Sequence, residues 1–505
     1  MKVTSNLART SVLVTVVLFV GYIIAFLRET IIAYYFGVSA DVDAYTIATT
    51  VPINLISIIT LSIQSIVVPI YSKIVYNHSR EEVNKYVCSL INIVALISLL
   101  LIVICEIFAK QIVFLFAPGF DEDMILFVTS QFRIVIPTVF FSLISFIFIG
   151  IKNVHKSFIL PSLSVYLLNI SIILALFFLH VKFGIYSACI GQVIGTFLQF
   201  SFLYILAKKH FNYSLYLSWR NTFVVETGKS VVPIIWSTCI GELNAIVNRM
   251  VCSFLFVGSI AALNYAGKIN SVLMAFFTSA IATVVYPLYA ESSVKNDFDQ
   301  LNSRINITLS AYSFFLIPLM FGVFCLKREI IEVAFARGAF DNNAVELTQS
   351  ILGCYVIGLL FMAIRETITK VYYSLMDTKT PAKNATIGVV INILLSISLP
   401  FIIGVEGVAI ASTVSAIFIS VILVYILVKR FDSITINYFF ENLRKLIFPT
   451  TLMTLSIIAI KHVYQGNSIY VLLICFLIGF AVYMASCFLL KVPIVSKLVQ
   501  MLKNK

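Results

Sequence analysis

Apolar runs of 18 or more residues follow one another fourteen times along the chain, separated by short connections that carry charges, Pro or Gly. Their centres fall near Leu18, Ile58, Ile97, Ser142, Ile170, Ile194, Trp236, Phe276, Phe314, Leu360, Leu394, Phe418, Met453 and Phe480. About 20 apolar residues are what a helix needs to cross the hydrocarbon of a bilayer. Inside hydrocarbon every backbone N–H and C=O must be satisfied by the protein itself, which leaves helices and closed barrels as spanning structures. These runs are continuously apolar and lack the two-residue alternation of a barrel strand. The expected fold class is an all-α polytopic membrane protein with about 14 transmembrane helices. Composition agrees: of 505 residues, 60% are hydrophobic and 11% charged, whereas soluble domains carry about 45–50% and about 25%. No connection is long enough for a soluble domain, and the first run, lacking a small-residue cleavage site, reads as a retained helix.

The net charge of +12 would suggest nucleic-acid binding in a soluble protein. Here it follows from the excess of Lys and Arg that cytoplasmic loops carry. With fourteen spans, connections on the side of the N-terminus hold 23 cations, from Lys2 and Arg9 to Lys503 and Lys505. The opposite side has only Lys110, Lys182, Lys327, Arg328, Arg337 and Lys461. That asymmetry predicts both termini in the cytoplasm and no nucleic-acid partner. The nine cysteines form no CxxC pair or metal-ligand spacing, and the five histidines fall in polar connections. Neither set suggests a metal centre, and we expect no cofactor.

The chain repeats itself. Ser39 and Tyr45 precede a helix ending in Val68-Pro69-Ile70-Tyr71, and Ser259 and Tyr265 precede one ending in Tyr286-Pro287-Leu288-Tyr289. Leu168-Asn169-Ile170 recurs as Ile391-Asn392-Ile393, Gly184 as Gly407, and the stretch from Tyr204 to Lys209 as that from Tyr425 to Arg430. The copies are separated by six helices, an even number, so they run through the membrane in the same direction. Parallel repeats of this kind are a transporter architecture, with substrate held between the lobes. We expect a six-helix lobe over 1–210, a second over 211–430, a central cavity, and two added helices with a tail over 431–505.

Several charges interrupt the apolar runs, at a cost of about 2.5–3.5 kcal/mol each at the bilayer centre. Arg28 and Glu29 interrupt the stretch from Ser11 to Phe36. They read either as a site on a substrate path or as an interfacial pair that snorkels. Asp43 begins the second helix, where a helix-start carboxylate is the plainer explanation. Glu242 and Arg249 are two turns apart on one helix face, and Arg249 is the repeat counterpart of Arg28 to within one residue. Lys268 follows Tyr265 by three residues; Arg365 and Glu366 are adjacent, with Lys370 a turn later. Arg133, just after the acidic Asp121–Asp123 loop, reads as interfacial. Ion pairs that glue helices together, and cations that attract an anionic head group, both remain open; Arg suits bidentate phosphate binding.

The stretch Tyr372-Tyr373-Ser374-Leu375-Met376-Asp377-Thr378-Lys379-Thr380-Pro381 resembles a connection found in the MurJ (MviN) family of lipid II flippases, within the multidrug/oligosaccharidyl-lipid/polysaccharide exporter superfamily. Phe335 to Phe340, Leu27 to Ile32, Asp43-Ala44-Tyr45 and Ala261 to Lys268 are similar to further stretches of that family, in the same order. The resemblance implies alternating access and export of an undecaprenyl-pyrophosphate-linked saccharide, without enzymatic chemistry, in the bacterial inner membrane. Arg28 matches a family position that binds the pyrophosphate, Asp43 matches a cavity carboxylate, and Lys268 occupies a place usually held by arginine, whereas Arg249 and Glu242 are charges the family pattern does not call for. Taking the embedded charges together with the resemblance, we expect substrate binding at Arg28, Glu29, Asp43, Arg249 and Lys268, with Glu242, Arg365 and Glu366 in coupling or gating. Cell-envelope biosynthesis proteins and membrane lipids are the implied partners. Tyr22 and Ile56 stand where family members often carry arginines, and Gly267 replaces an acidic residue. These departures keep open a flippase for a capsule or O-antigen repeat unit. An ion-coupled drug exporter fits less well, because the embedded charges are mostly positive. A membrane-embedded glycosyltransferase would need a large acidic loop, and none is present. No GxxxxGK[ST] motif occurs, so membrane potential or a cation gradient is the expected source of direction.

Overall fold

The computed structural model describes residues 2–464 and 466–495, with side chains apart from those of 2–12, 61–65, 232–234, 236, 237, 240 and 276–284. Lys497, Lys503 and Lys505 lie outside the described residues, and so do the side chains of Lys2 and Arg9. Every regular element among the described residues is a helix. Its first copy runs α1 (Lys2–Phe36), α2 (Ala40–Asn77), α3 (Arg80–Ile107), α4 (Ala109–Phe116), α5 (Glu122–Val135), α6 (Thr138–Val154), α7 (Ile159–Phe183) and α8 (Tyr186–Ala207). The second runs α9 (Thr222–Cys252), α10 (Ser259–Val294), α11 (Phe298–Cys325), α12 (Lys327–Phe335), α13 (Asn342–Val356), α14 (Leu359–Ser374), α15 (Lys379–Ser398), α16 (Pro400–Ile403) and α17 (Glu406–Arg430). Two further helices follow, α18 (Asn437–Val463) and α19 (Ser468–Leu489).

Among the described residues, 11 helices are long and apolar enough to cross a membrane, or 12 if α13 and α14, bent by 40° at their junction, form one span. The sequence led us to expect fourteen. The remaining two centres, Trp236 and Phe276, fall on α9 and α10, whose side chains are only partly described. The run centred on Ser142 is two helices, because Pro137 has no N–H to donate and interrupts the ladder between α5 and α6. The second copy breaks at the matching place, Ile357-Gly358, where α13 gives way to α14.

Local geometry repeats where residue identity does not. Asp121 and Asp341 each accept from a backbone N–H three residues on, Met124 and Ala344, both at 2.8 Å, and so cap α5 and α13. Lys156 and Met376 both have left-handed backbone, with φ of 56° and 60°. Gly184 and Gly404 end α7 and α16 with φ of 53° and 73°. The sequence comparison paired Gly184 with Gly407, and the structure corrects this. Gly404 is the true counterpart because the left-handed cap needs a residue without a Cβ penalty. Gly407 lies inside α17, where a Cβ would come within 2.6 Å of Pro400 N; close approach is its reason to be glycine.

Contacts divide the chain into two compact units, one ending at Ala261 and the other beginning at Ala262. In the first, α7 and α8 pack closely through Gly191 and Gly195, one turn apart. A Cβ there would lie 2.7 Å from Ile172 Cα and 2.8 Å from Leu168 Cα. This is the small-residue packing that membrane helices use where burying apolar surface brings no gain. The repeat assigns α9 to residues 211–430, yet its contacts tie it to the first unit. Tyr86 and Thr227 hydroxyls are 3.0 Å apart, and Gly119 N donates to Ser253 Oγ at 3.0 Å. In the second unit Leu360, Ile364 and Ile368 of α14 and Ile419, Leu423 and Leu427 of α17 form fourfold-spaced stripes. They close on Leu301, Ile305 and Leu309 of α11. Helices α18 and α19 pack through Met453, Ile457, Val471 and Cys475, and the Tyr483 hydroxyl donates to Phe314 O at 2.7 Å.

Candidate functional site

Two adjacent charges on a helix leave its axis about 100° apart, so Arg28 and Glu29 are buried together only if their side chains bend toward one another or each meets a neighbour. The structure settles them inside the first unit, where α1 packs on α7. Arg28 Nη2 pairs with Glu29 Oε1 at 2.5 Å, and Nη1 donates to Asn169 Oδ1 at 3.1 Å. Asn169 Nδ2 in turn donates to Val165 O at 3.0 Å, which orients its amide oxygen toward the guanidinium. The side chains of Arg28 and Glu29 are only 18% and 7% exposed. This is a held pair, not a snorkelling one. Arg28 Nε is buried and has no hydrogen-bond partner among the described residues, so one donor of the guanidinium is left over. Nearby in the chain, the Tyr45 hydroxyl donates to Gln192 Oε1 at 3.1 Å.

Asp43 is nearly fully buried, at 2% exposure. Its Oδ2 accepts from Gly258 N at 2.6 Å and its Oδ1 from Ala261 N at 2.7 Å. Helix starts leave backbone N–H groups without internal partners. Asp43, near the start of α2, satisfies those at the start of α10. Gly258 is needed there twice over: its φ is 93°, and a Cβ would sit 2.6 Å from Val38 Cγ1.

The other expected residues are more dispersed. Glu242 and Arg249 are half-buried on α9, and Arg249 Nη1 donates to Ala245 O at 3.3 Å. In the second unit Lys268 is half-buried on α10. On α14, Arg365 is exposed, while Glu366 pairs with Lys370 at 3.2 Å on the same helix. Arg133 pairs with Glu106 at 3.5 Å and is exposed. Tyr22 is exposed, Ile56 half-buried, and nothing lies within 4 Å of a Cβ at Gly267. Sequence reasoning missed Asn169 as the partner of Arg28. The signal was present: an amide in an apolar run, repeated as Asn392, which donates to Ser412 Oγ at 3.3 Å. No group of three or more His, Cys, Asp or Glu suited to a metal ion occurs among the described residues.

The motif around Asp377 is a structural clasp. Asp377 Oδ1 accepts from Lys379 N at 3.1 Å and Thr380 N at 3.0 Å, Oδ2 accepts from Thr380 Oγ1 at 2.7 Å, and Arg430 pairs with it at 2.5 Å. These donors hold its carboxyl down at about 2. A carboxylate depressed in the fold contributes stability above its unfolded value and loses it as pH falls through the folded one. Asp377→Ala is expected to cost about 1 kcal/mol, the usual worth of such a cap. In detergent melts the difference from the natural chain should shrink as pH drops from about 4 to about 2; a gap that persists would contradict the assignment.

Histidines behave differently from expectation. His180 and His462 lie in the last turns of α7 and α18, not in connections. His155 and His210 stack with ring centres 3.7 Å apart, and Lys152 Nζ donates to His210 Nε2 at 3.3 Å. The Tyr71 hydroxyl is 3.1 Å from His155 Nε2. Burial and then His155, Lys152 and Lys209 push His210 down to about 4. A histidine depressed in the fold binds fewer protons than when unfolded, so stability must fall as pH drops from about 6.5 toward 4. His210→Phe should flatten that part of the melting-temperature profile; an unchanged profile would rule the pair out as its cause.

With this geometry in place, comparison with known proteins identifies the lineage. The family described as lipid II flippase MurJ matches residues 32–479. The chain belongs to the MurJ family. The lipid II flippase MurJ of Thermosipho africanus is 31% identical over 423 residues, covering 83% of this chain and 86% of that protein. A probable lipid II flippase MurJ of Borreliella burgdorferi is 26% identical, covering 83% of each. A solved lipid II flippase MurJ in an inward closed conformation superposes with a TM-score of 0.82 at 29% identity, covering 94% of this chain and 98% of that one. An inward-facing multidrug resistance transporter of the MATE family superposes at 0.70 with 12% identity, a likeness of fold alone. The MurJ match begins just beyond Arg28 and Glu29, and it takes in Asp43 and the Asp377 clasp.

Proposed function

We propose that this MurJ family member carries lipid II, an undecaprenyl-pyrophosphate-linked saccharide, from the inner to the outer leaflet of the bacterial cytoplasmic membrane. The observation that carries this reading is the family match over residues 32–479. The charged pair held inside the apolar helix α1 supports it. The head group is too polar to cross hydrocarbon unaided, and the lipid tail prefers to stay in it. Lobes 1–210 and 211–430 moving by alternating access would carry the first while the second trails in lipid. Arg28 supplies the leftover Nε donor to a phosphate oxygen; Glu29, Arg249 and Lys268 complete the head-group set, while Asp43, with both oxygens taken by Gly258 N and Ala261 N, acts as a positioning residue, and Glu242, Arg365 and Glu366 serve in coupling or gating. Both termini face the cytoplasm, no chemical step is needed, and membrane potential or a cation gradient supplies direction. Cell-envelope biosynthesis proteins would supply and consume the lipid.

The test is growth rescue in bacteria depleted of their own essential lipid II flippase. Restored growth supports lipid II as cargo. Failure by a well-expressed, inserted protein overturns it and favours a capsule or O-antigen repeat unit, a reading that Tyr22 and Ile56 in place of arginines already support.

A further inference from the structure

The connection between the two repeats, from Lys208 to Asn221, is clasped along α3 by side chains one turn apart. Asn84 Nδ2 donates to Asn212 O at 2.7 Å, and Asn84 Oδ1 accepts from Asn212 N at 2.6 Å. One turn on, Cys88 Sγ accepts from Ser214 N at 3.4 Å. A further turn on, Asn92 Nδ2 donates to Ser214 O at 3.1 Å and Tyr216 O at 3.0 Å. Four helical residues rise about 6 Å, and two extended residues advance about 6.6 Å. The match lets every second residue of the strap meet one turn of α3.

The second unit has the same clasp. Asn302 Oδ1 accepts from Thr435 N at 3.0 Å, and Asn306 Nδ2 donates to Thr435 O at 2.6 Å. There the neighbouring apolar residue turns inward: Ile434 is 1% exposed. In the first strap the apolar row turns outward, with Leu215 87%, Trp219 55% and Leu217 44% exposed. The clasp therefore does not require outward apolar side chains, and their exposure calls for another partner.

Depth identifies it. Helix α3 has 28 residues, or about 42 Å, the thickness of a bilayer with its head groups. Its uncharged stretch from Tyr86 to Cys105 is about 30 Å and matches the hydrocarbon, so Asn84 falls in the head-group layer and Asn92 about 9 Å inside the hydrocarbon boundary. Non-helical backbone survives at that depth only where the protein satisfies it, and the α3 side chains do so on the strap's inner edge. Exposed Lys208, Lys209 and Arg220 flank the apolar row. Apolar and aromatic residues bracketed by cations are the pattern of segments that lie in an anionic interface.

We propose that the inter-repeat strap is an interfacial anchor, in which Leu215, Leu217 and Trp219 enter the boundary between head groups and acyl chains while Lys208, Lys209 and Arg220 bind anionic phospholipid head groups. The chain has two tryptophans, Trp219 and Trp236, so Trp236→Phe leaves the strap as the only indole. The full-length variant would be reconstituted in vesicles of phosphatidylcholine, with and without phosphatidylglycerol, using lipids brominated near the head-group end of the acyl chain. Trp219 emission should be quenched by the bromolipid and lie to the blue of a water-exposed indole, as expected of an indole seated at the head-group level. Quenching should deepen with phosphatidylglycerol, and that increment should vanish in a Lys208→Gln/Lys209→Gln/Arg220→Gln variant. If Trp236→Phe fails to fold, the difference between the natural chain and Trp219→Phe supplies the same reading. Emission at the water-exposed position, quenched by aqueous iodide and not by bromolipid, would overturn the anchor. Equal quenching with and without phosphatidylglycerol would overturn the head-group contact. Neither result depends on transport.

Discussion

Arg28→Ala is expected to abolish growth rescue and also to lower the stability of the folded chain. Glu29 is 5% exposed and pairs with Arg28, and removing one partner of a buried ion pair costs about 3–5 kcal/mol through the charge left behind. Loss of rescue by this variant alone would therefore not separate transport from folding. The double variant Arg28→Met/Glu29→Met does, because replacing both charges with apolar groups of similar size is often neutral or stabilising. We expect it to melt within about 1 kcal/mol of the natural chain and still to fail in rescue. Arg28→Lys keeps the charge but not the planar fork that reaches both Glu29 and Asn169, so it should rescue weakly. Full rescue by the double methionine variant would make Arg28 a structural residue only.

Asp43→Ala should be the most damaging single change for stability in the first unit. It would strand the amides of Gly258 and Ala261, and each buried unsatisfied donor costs about 1–3 kcal/mol. Asp43→Asn should be almost as harmful, since a carboxamide offers one acceptor and turns its NH2 toward the second N–H. Hydrogen exchange over residues 258–261 would read this directly, and protection should be lost in both variants. Natural protection in Asp43→Asn would mean that the backbone there is held by something other than this carboxylate.

Placement of the helices was largely readable in advance. All fourteen expected centres lie on helices, because hydrocarbon tolerates little else and the apolar runs are long. The repeat was readable too, though its register at Gly404 was not. Two glycines three residues apart look alike in sequence, and only backbone torsion tells a left-handed cap from a close packing contact. Asp377 stood out by resemblance, but its role as a clasp between the start of α15 and Arg430 required coordinates.

Embedded charges show the boundary most clearly. The sequence by itself determined that Arg28 and Glu29 interrupt an apolar run and that Asp43 stands at a helix start, which left a held site, a snorkelling pair and a helix-start charge all open. It also determined the all-helical spanning architecture, since hydrophobic length and backbone satisfaction are local properties of the chain. Tertiary structure alone decided who the partners are. Arg28 meets Asn169, 141 residues away, and Asp43 meets Gly258, 215 residues away. Hydrogen bonds at such separations depend on how helices pack and on the orientation of each side chain, and periodicity along one helix carries neither.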